Sequence, residues 1–125
     1  MGKLSRSKGA EWERSIVKML KEKGWENAKR HFEADGHSCG YDIEHSSPLV
    51  IQAKVGKNVP YKRAYIEARQ AVGAYRKNEA LSGRLIPVAM CKFNNAEGRS
   101  PLCLAILSID DLLDLVKSLM VAMRV

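Results

Sequence analysis

The sequence predicts an α/β domain, a small mixed β-sheet flanked by helices, in the order α-β-β-β-α-β-β-α. Three observations carry that expectation. Apolar residues recur at helical spacing in three stretches, near the start, the middle and the end of the chain. Between them lie short apolar runs bounded by Gly, Pro, Ser, Asn and Asp, which read as strands. The length of 125 residues, with 46% hydrophobic and 28% charged, suits a single domain spanning residues 1–125 with one core.

Each element follows from local chemistry. Residues 1–7 read as a basic N-terminal arm. Ser7 offers an N-cap and Gly24 a stop, so the first helix runs from Ser7 to Lys23. Strands fit at Ala28–Glu33, Tyr41–Glu44 and Leu49–Val55, separated by the polar turns Asp35-Gly36-His37 and Ser46-Ser47-Pro48. From Tyr61 to Lys77, the residues Tyr61, Tyr65, Ala68, Val72 and Tyr75 recur at helical spacing. Leu85–Phe93 and Leu102–Ile109 read as two further strands, joined through the turn-rich Asn94–Gly98. From Asp110 an amphipathic helix places Leu112, Leu113, Val116, Leu119, Met120 and Met123 on its apolar side. Ser108 can cap it, and Asp110 and Asp111 suit the positive end of its dipole. That side is more apolar than a small monomer needs to cover its sheet, but helix-on-sheet burial explains it equally well.

Composition narrows the functional classes. Lys plus Arg number 21 against 14 acids, a net charge of +7, which favours a polyanionic partner such as nucleic acid. Cys39, Cys91 and Cys103 form no paired framework, and the basic start of the chain lacks the apolar run of a signal peptide. A cytoplasmic protein is therefore expected. The greasiest stretch, Ile109–Val125, is interrupted by Asp110, Asp111, Asp114, Lys117 and Arg124, so no membrane span is expected. His37, Cys39 and His45 lack the paired spacing of a structural zinc site.

The chemistry concentrates on one strand. Leu49–Val55 is apolar, yet it sets Gln52 and Lys54 on one face, two residues apart. Asp42 stands ten residues before Gln52 on the preceding strand. Burying such groups is costly unless they satisfy one another or a ligand. In the first helix, at about 100° per residue, Glu13 shares an arc with Gly9, Ile16, Val17 and Leu20. Glu11 falls opposite, with Ser15, Lys18 and Glu22. Glu13 should thus point inward, toward a cation, toward Lys54, or into an ion pair with an arginine.

An acid followed by polar-x-Lys on the next strand resembles the layout of metal-dependent phosphodiesterases of the PD-(D/E)XK type. Phosphodiester cleavage needs an activated water and neutralised charge, which a hard cation held by oxygens supplies. Asp42, the Gln52 side-chain oxygen and the Ala53 carbonyl would form the protein shell. Lys54 would orient the water and stabilise developing charge, and Glu13 would hold a second ion or its water.

The segment Lys8-Gly9-Ala10-x-x-Glu13-Arg14-x-Ile16-Val17-x-x-Leu20-x-x-x-Gly24-Trp25 is similar to the opening of archaeal-type Holliday-junction resolvases. Arg30, the Asp42 strand, Gln52-x-Lys54 and Ile86-Pro87-Val88-Ala89-x-x-Lys92-Phe93 continue the likeness in order. It covers residues 8–93, and phage-type members of the same superfamily are similar too. The resemblance implies a restriction-endonuclease-like core and a Mg²⁺-dependent endonuclease, with Mn²⁺ as substitute. It also implies a homodimer acting on branched DNA, with Glu13, Asp42 and Lys54 at the catalytic positions. Gln52 departs from the pattern, which has Glu there. Glu44, two residues from Asp42, either compensates or is an exposed strand-end charge. For nucleic acid the candidates are Lys3, Arg6, Lys8, Arg30, Lys57, Lys62, Arg63 and Arg69. A nuclease for flaps, ends or mismatches, and a catalytically dead DNA-binding module, remain as alternatives.

Overall fold

The computed structural model describes residues 2–31, 40–79, 81–94 and 100–124, with backbone alone for residues 2–6. Helix α1 (Gly2–Glu22) leads into the short strands β1 (Lys29–Arg30) and β2 (Ile43–Glu44). The strand β3 (Leu49–Gly56) follows, then helices α2 (Tyr61–Gln70) and α3 (Val72–Asn78). Strands β4 (Ile86–Phe93) and β5 (Leu102–Ile106) and the helix α4 (Ile109–Met123) complete the chain. The main sheet is mixed, as expected: β3 and β4 run parallel and β4 and β5 antiparallel, in the order β3-β4-β5. A parallel pair needs a crossover, and α2 and α3 provide it. A second, two-stranded ladder pairs β1 with β2.

Period-two alternation along β3 divides the core between two faces. Ile51 joins Trp12, Ile16, Leu20, Ala28 and Ile43 beneath α1. Val50 turns the other way, toward Tyr41, Ala71, Tyr75 and Leu85. Farther along that face Val59, Ala64, Ala89 and Cys91 form a third cluster under α2. Gln52 and Lys54 share the phase of Val50 and so lie on the α2 side of the sheet.

Four expectations are corrected. The arm proposed for residues 1–7 is helical from Gly2, so Ser7 is not a cap; no proline or β-branched residue precedes Lys8 to stop helix growth. The helix expected over Tyr61–Lys77 divides at Ala71. There the backbone of Gly40 presses on the helix: a Cβ at Gly40 would lie 3.1 Å from the Ala71 Cβ and 3.3 Å from the Glu67 carbonyl oxygen, and its φ is +86°. Glycine is the residue that fits such an approach. The strand expected to reach Ile109 ends at Ile106, because Ser108 caps α4 by accepting the Asp111 N–H at 3.1 Å. Finally, α4 does not cover the sheet. It buries no residue, and Leu119 at 59% and Met123 at 74% are among its exposed side chains. Phe32, Glu33, the Asp35-Gly36-His37 turn, Cys39 and residues 95–98 lie outside the described residues. No helix among the described residues is long and apolar enough to cross a membrane.

Tyr75 ties the crossover to the turn before β3. It is fully buried, and its hydroxyl accepts the Ser46 N–H at 3.0 Å. Tyr75→Phe strands that buried donor and should cost about 1–3 kcal/mol in urea unfolding. A loss below about 0.5 kcal/mol, the range of neutral surface changes, would show the bond to be dispensable.

Candidate active site

The candidate site forms where the chain leaves the outer edge of β3. Asp42 precedes β2, and its N–H donates to the Ile51 carbonyl at 2.8 Å. Its carboxylate Oδ2 then accepts the Ala53 N–H at 2.7 Å. A side chain thus takes the place of the next backbone acceptor. The Ala53 carbonyl leaves the strand on the same edge as its N–H.

Gln52 is 6% exposed. Its amide Nε2 donates to Glu67 Oε2 on α2 at 3.0 Å, while its Oε1 is buried without a partner among the described residues. Lys54 Nζ approaches the same Glu67 oxygen at 3.5 Å. Burial pushes the Asp42 pKa up to about 6, partly offset by the Ala53 N–H; the charges of Glu13 and Glu67 raise it further and Lys54 opposes them.

The helical phase of α1 separates the two glutamates as expected, with Glu11 exposed and Glu13 largely buried. Of the outcomes open for Glu13, the ion pair is present: Glu13 Oε1 accepts from Arg30 Nε at 2.8 Å. Its charge nevertheless reaches Asp42. Glu44 does not join the site. His31 Nδ1 lies 2.8 Å from Glu44 Oε2, and Lys29 and His45 approach its other oxygen at 3.7 and 3.9 Å.

The structure therefore brings together Glu13, Asp42, Gln52, Ala53 and Lys54, and adds Glu67. The sequence held a signal for Glu67: in a helix it neighbours the small residues Ala64, Ala68 and Ala71, which mark the face against the sheet. Among the described residues no three His, Cys, Asp or Glu side chains converge as a metal-binding group. The donor set is of another kind. Two carboxylates, one orphaned amide oxygen and an edge carbonyl are hard oxygen ligands of the sort that Mg²⁺ takes.

Of the basic candidates, Lys8, Lys57, Lys62, Arg63 and Arg69 are exposed. Lys62 and Arg63 line a recess with Val59, Pro60 and Tyr61 just after β3, and Arg69 lies over the Tyr65 ring at 5.9 Å. Arg30 is engaged with Glu13. The side chains of Lys3 and Arg6 lie outside the described residues. A basic feature not anticipated is a cleft of about 570 Å³ between α1 and the β1–β2 ladder, lined by Arg14, Lys21, Lys29 and Arg30 with Glu44. No protein-family model, curated protein or solved structure matches this chain.

The raised Asp42 pKa has a thermodynamic signature. The unfolded carboxyl titrates near pH 4 and the folded one near 6, so the folded protein holds the extra proton between them. Stability should therefore fall as pH rises from about 4 to about 6, by up to about 3 kcal/mol from this group. Asp42→Asn should match wild type below pH 4 and exceed it in unfolding free energy above pH 6. A difference between the two proteins that does not vary with pH would contradict the assignment.

Proposed function

We propose that this chain is a Mg²⁺-dependent endodeoxyribonuclease of the PD-(D/E)XK type, hydrolysing phosphodiester bonds in branched DNA as Holliday-junction resolvases do. One observation carries the reading: Asp42 is bonded to β3 at Ala53 within the field of Lys54, and Gln52 beside them has a buried oxygen with no partner among the described residues. The order α1-β1-β2-β3-α2-α3-β4 is in keeping with a restriction-endonuclease-like core.

A bound Mg²⁺, or Mn²⁺ in its place, supplies positive charge against the phosphoryl oxygens and acidifies the attacking water. The remaining work belongs to the chain. Asp42, ionised at neutral pH, holds the ion together with the Gln52 and Ala53 oxygens. Lys54, paired with Glu67 at 3.5 Å, orients the water and stabilises charge developing on the phosphate. Glu13, fixed by Arg30, adds negative field beside Asp42. The +7 net charge and the Arg14–Lys21–Lys29–Arg30 cleft suit a DNA backbone passing alongside.

A second copy of the chain completes the proposal. Strand β5 is the far edge of the sheet, and Leu102 and Leu104 on it are exposed, as are Ile109, Leu113, Leu119, Val121 and Met123 on α4. Monomers rarely leave so much apolar surface in water. This region carries too little positive charge to serve DNA. An antiparallel β5–β5 pairing is self-complementary under a two-fold axis, and would cover both the open edge and the apolar helices. It would also give two active sites for a two-fold symmetric junction.

Two contacts favour the rival reading, a module that binds DNA without cutting: position 52 is an amide, and Arg30 occupies Glu13. Cleavage assays on branched, flapped, single-stranded and linear DNA decide between them. Asp42→Asn or Lys54→Ala should abolish Mg²⁺-dependent cutting while DNA binding survives. Glu13→Gln should lower the rate by roughly 10²-fold or more, and Glu11→Gln should be neutral. Wild-type protein inert with both Mg²⁺ and Mn²⁺ would establish the rival.

Sedimentation tests the pairing. Wild type should run at twice its 14.0 kDa, and Leu119→Glu with Met120→Glu should run as a folded monomer. A wild-type monomer at micromolar concentration would rule the pairing out.

A further inference from the structure

The nuclease reading leaves a deficit, since position 52 offers an amide where the resembled pattern has a carboxylate. The structure places a carboxylate against that amide. Glu67 Oε2 accepts the Gln52 Nε2 hydrogen at 3.0 Å and lies 3.5 Å from Lys54 Nζ, and its charge is felt at Asp42. A carboxylate can accept from an amide only through nitrogen, so this contact fixes which way Gln52 faces. Its donor side is spent on Glu67. Its oxygen is left at 6% residue exposure with nothing among the described residues to accept from, which is a costly state for a carbonyl unless a ligand completes it.

We propose that Glu67 supplies the negative charge that position 52 lacks, and is a ligand of a divalent cation shared with Asp42 and the Gln52 side-chain oxygen. The inference rests on the metal-dependent reading above and names a donor it did not contain. Two carboxylates balance the charge of a divalent ion, where Asp42 alone would leave it half neutralised. The site joins two carboxylates with an amide, which agrees with the lack of a three-membered His, Cys, Asp or Glu group among the described residues. Glu67 is also well supported. It stands between the buried Ala64 and Ala68 on α2, and the Gly40 backbone rests against its carbonyl oxygen.

The rival role for Glu67 is structural, as partner to Lys54 alone. Calorimetric titration of the DNA-free protein with Mn²⁺ separates the two. Wild type should bind Mn²⁺. Glu67→Gln keeps size and hydrogen bonding but removes the charge, and should weaken Mn²⁺ binding at least about tenfold, the low end of what outer-shell partners alone are worth. Its melting temperature in chelator should stay near wild type. The double variant Gln52→Glu/Glu67→Gln exchanges charge across the same hydrogen bond and should regain most of the affinity. If Glu67→Gln fails to fold, the double variant and Glu67→Asp carry the test: the first should bind Mn²⁺ near wild-type strength and the second more weakly than wild type. Wild-type affinity in Glu67→Gln, or no Mn²⁺ binding by wild type, overturns the proposal. Mn²⁺ binding that depends on Glu67, in a protein that cuts no DNA, would leave the ion site standing and remove the nuclease reading.

Discussion

The site depends on the way the chain leaves the edge of β3. Asp42 makes one main-chain bond to Ile51 and then substitutes its own carboxylate for the next main-chain acceptor, taking the Ala53 N–H. Past that point β3 pairs with β4 alone among the described residues, so Lys54 has β4 on one side and no strand on the other among them. The same bond holds the carboxylate at the sheet, out of contact with most of the solvent. That bond fixes the position of Asp42 at the edge, whereas its raised proton affinity comes from burial, which the Ala53 N–H partly offsets.

The charges around that edge are arranged in opposed pairs with one member left over. Arg30 holds Glu13, and Lys54 holds Glu67. Asp42 has the Ala53 N–H but no ion pair among the described residues, and it feels both neighbouring glutamates. Burial, with those two charges added, holds its proton up to about pH 6. Taken together, these three carboxylates and two basic side chains give the edge an excess of one negative charge within a chain of +7. Gln52 tempers that excess: with Glu at position 52, the cluster would carry four acids in a largely desolvated space.

Much of this was legible in the sequence, for physical reasons that can be named. Strand alternation put Gln52 and Lys54 on one face, and helix periodicity turned Glu13 inward and Glu11 outward. Ser108 declared the start of α4 through its capping chemistry. Glu67 was harder to see, because its neighbours Ala64, Ala68 and Ala71 reveal a face against the sheet but not the residue across from it. The close approach at Ala71 comes from Gly40, which is distant in sequence and becomes a neighbour only in the fold. The alanine-free, leucine-rich stretch from Leu112 to Met120 announces burial without saying whether the cover is this chain's sheet or another molecule.

The exposure of α4 also divides the molecule dynamically. A lone helix of 15 residues is near the limit of stability in water, and this one is anchored at its start by Ser108 and by the exposed pairing of Arg84 with Asp111 and Asp114. Such ionic anchors weaken with salt. Strands β3 and β4, buried on both faces, open only with the whole fold, whereas α4 opens locally. In the isolated chain its amide hydrogens should exchange with solvent orders of magnitude sooner than those of β3. The candidate site is carried on the slow tier, so whatever α4 does as it frays and re-forms leaves Asp42, Gln52 and Lys54 in register.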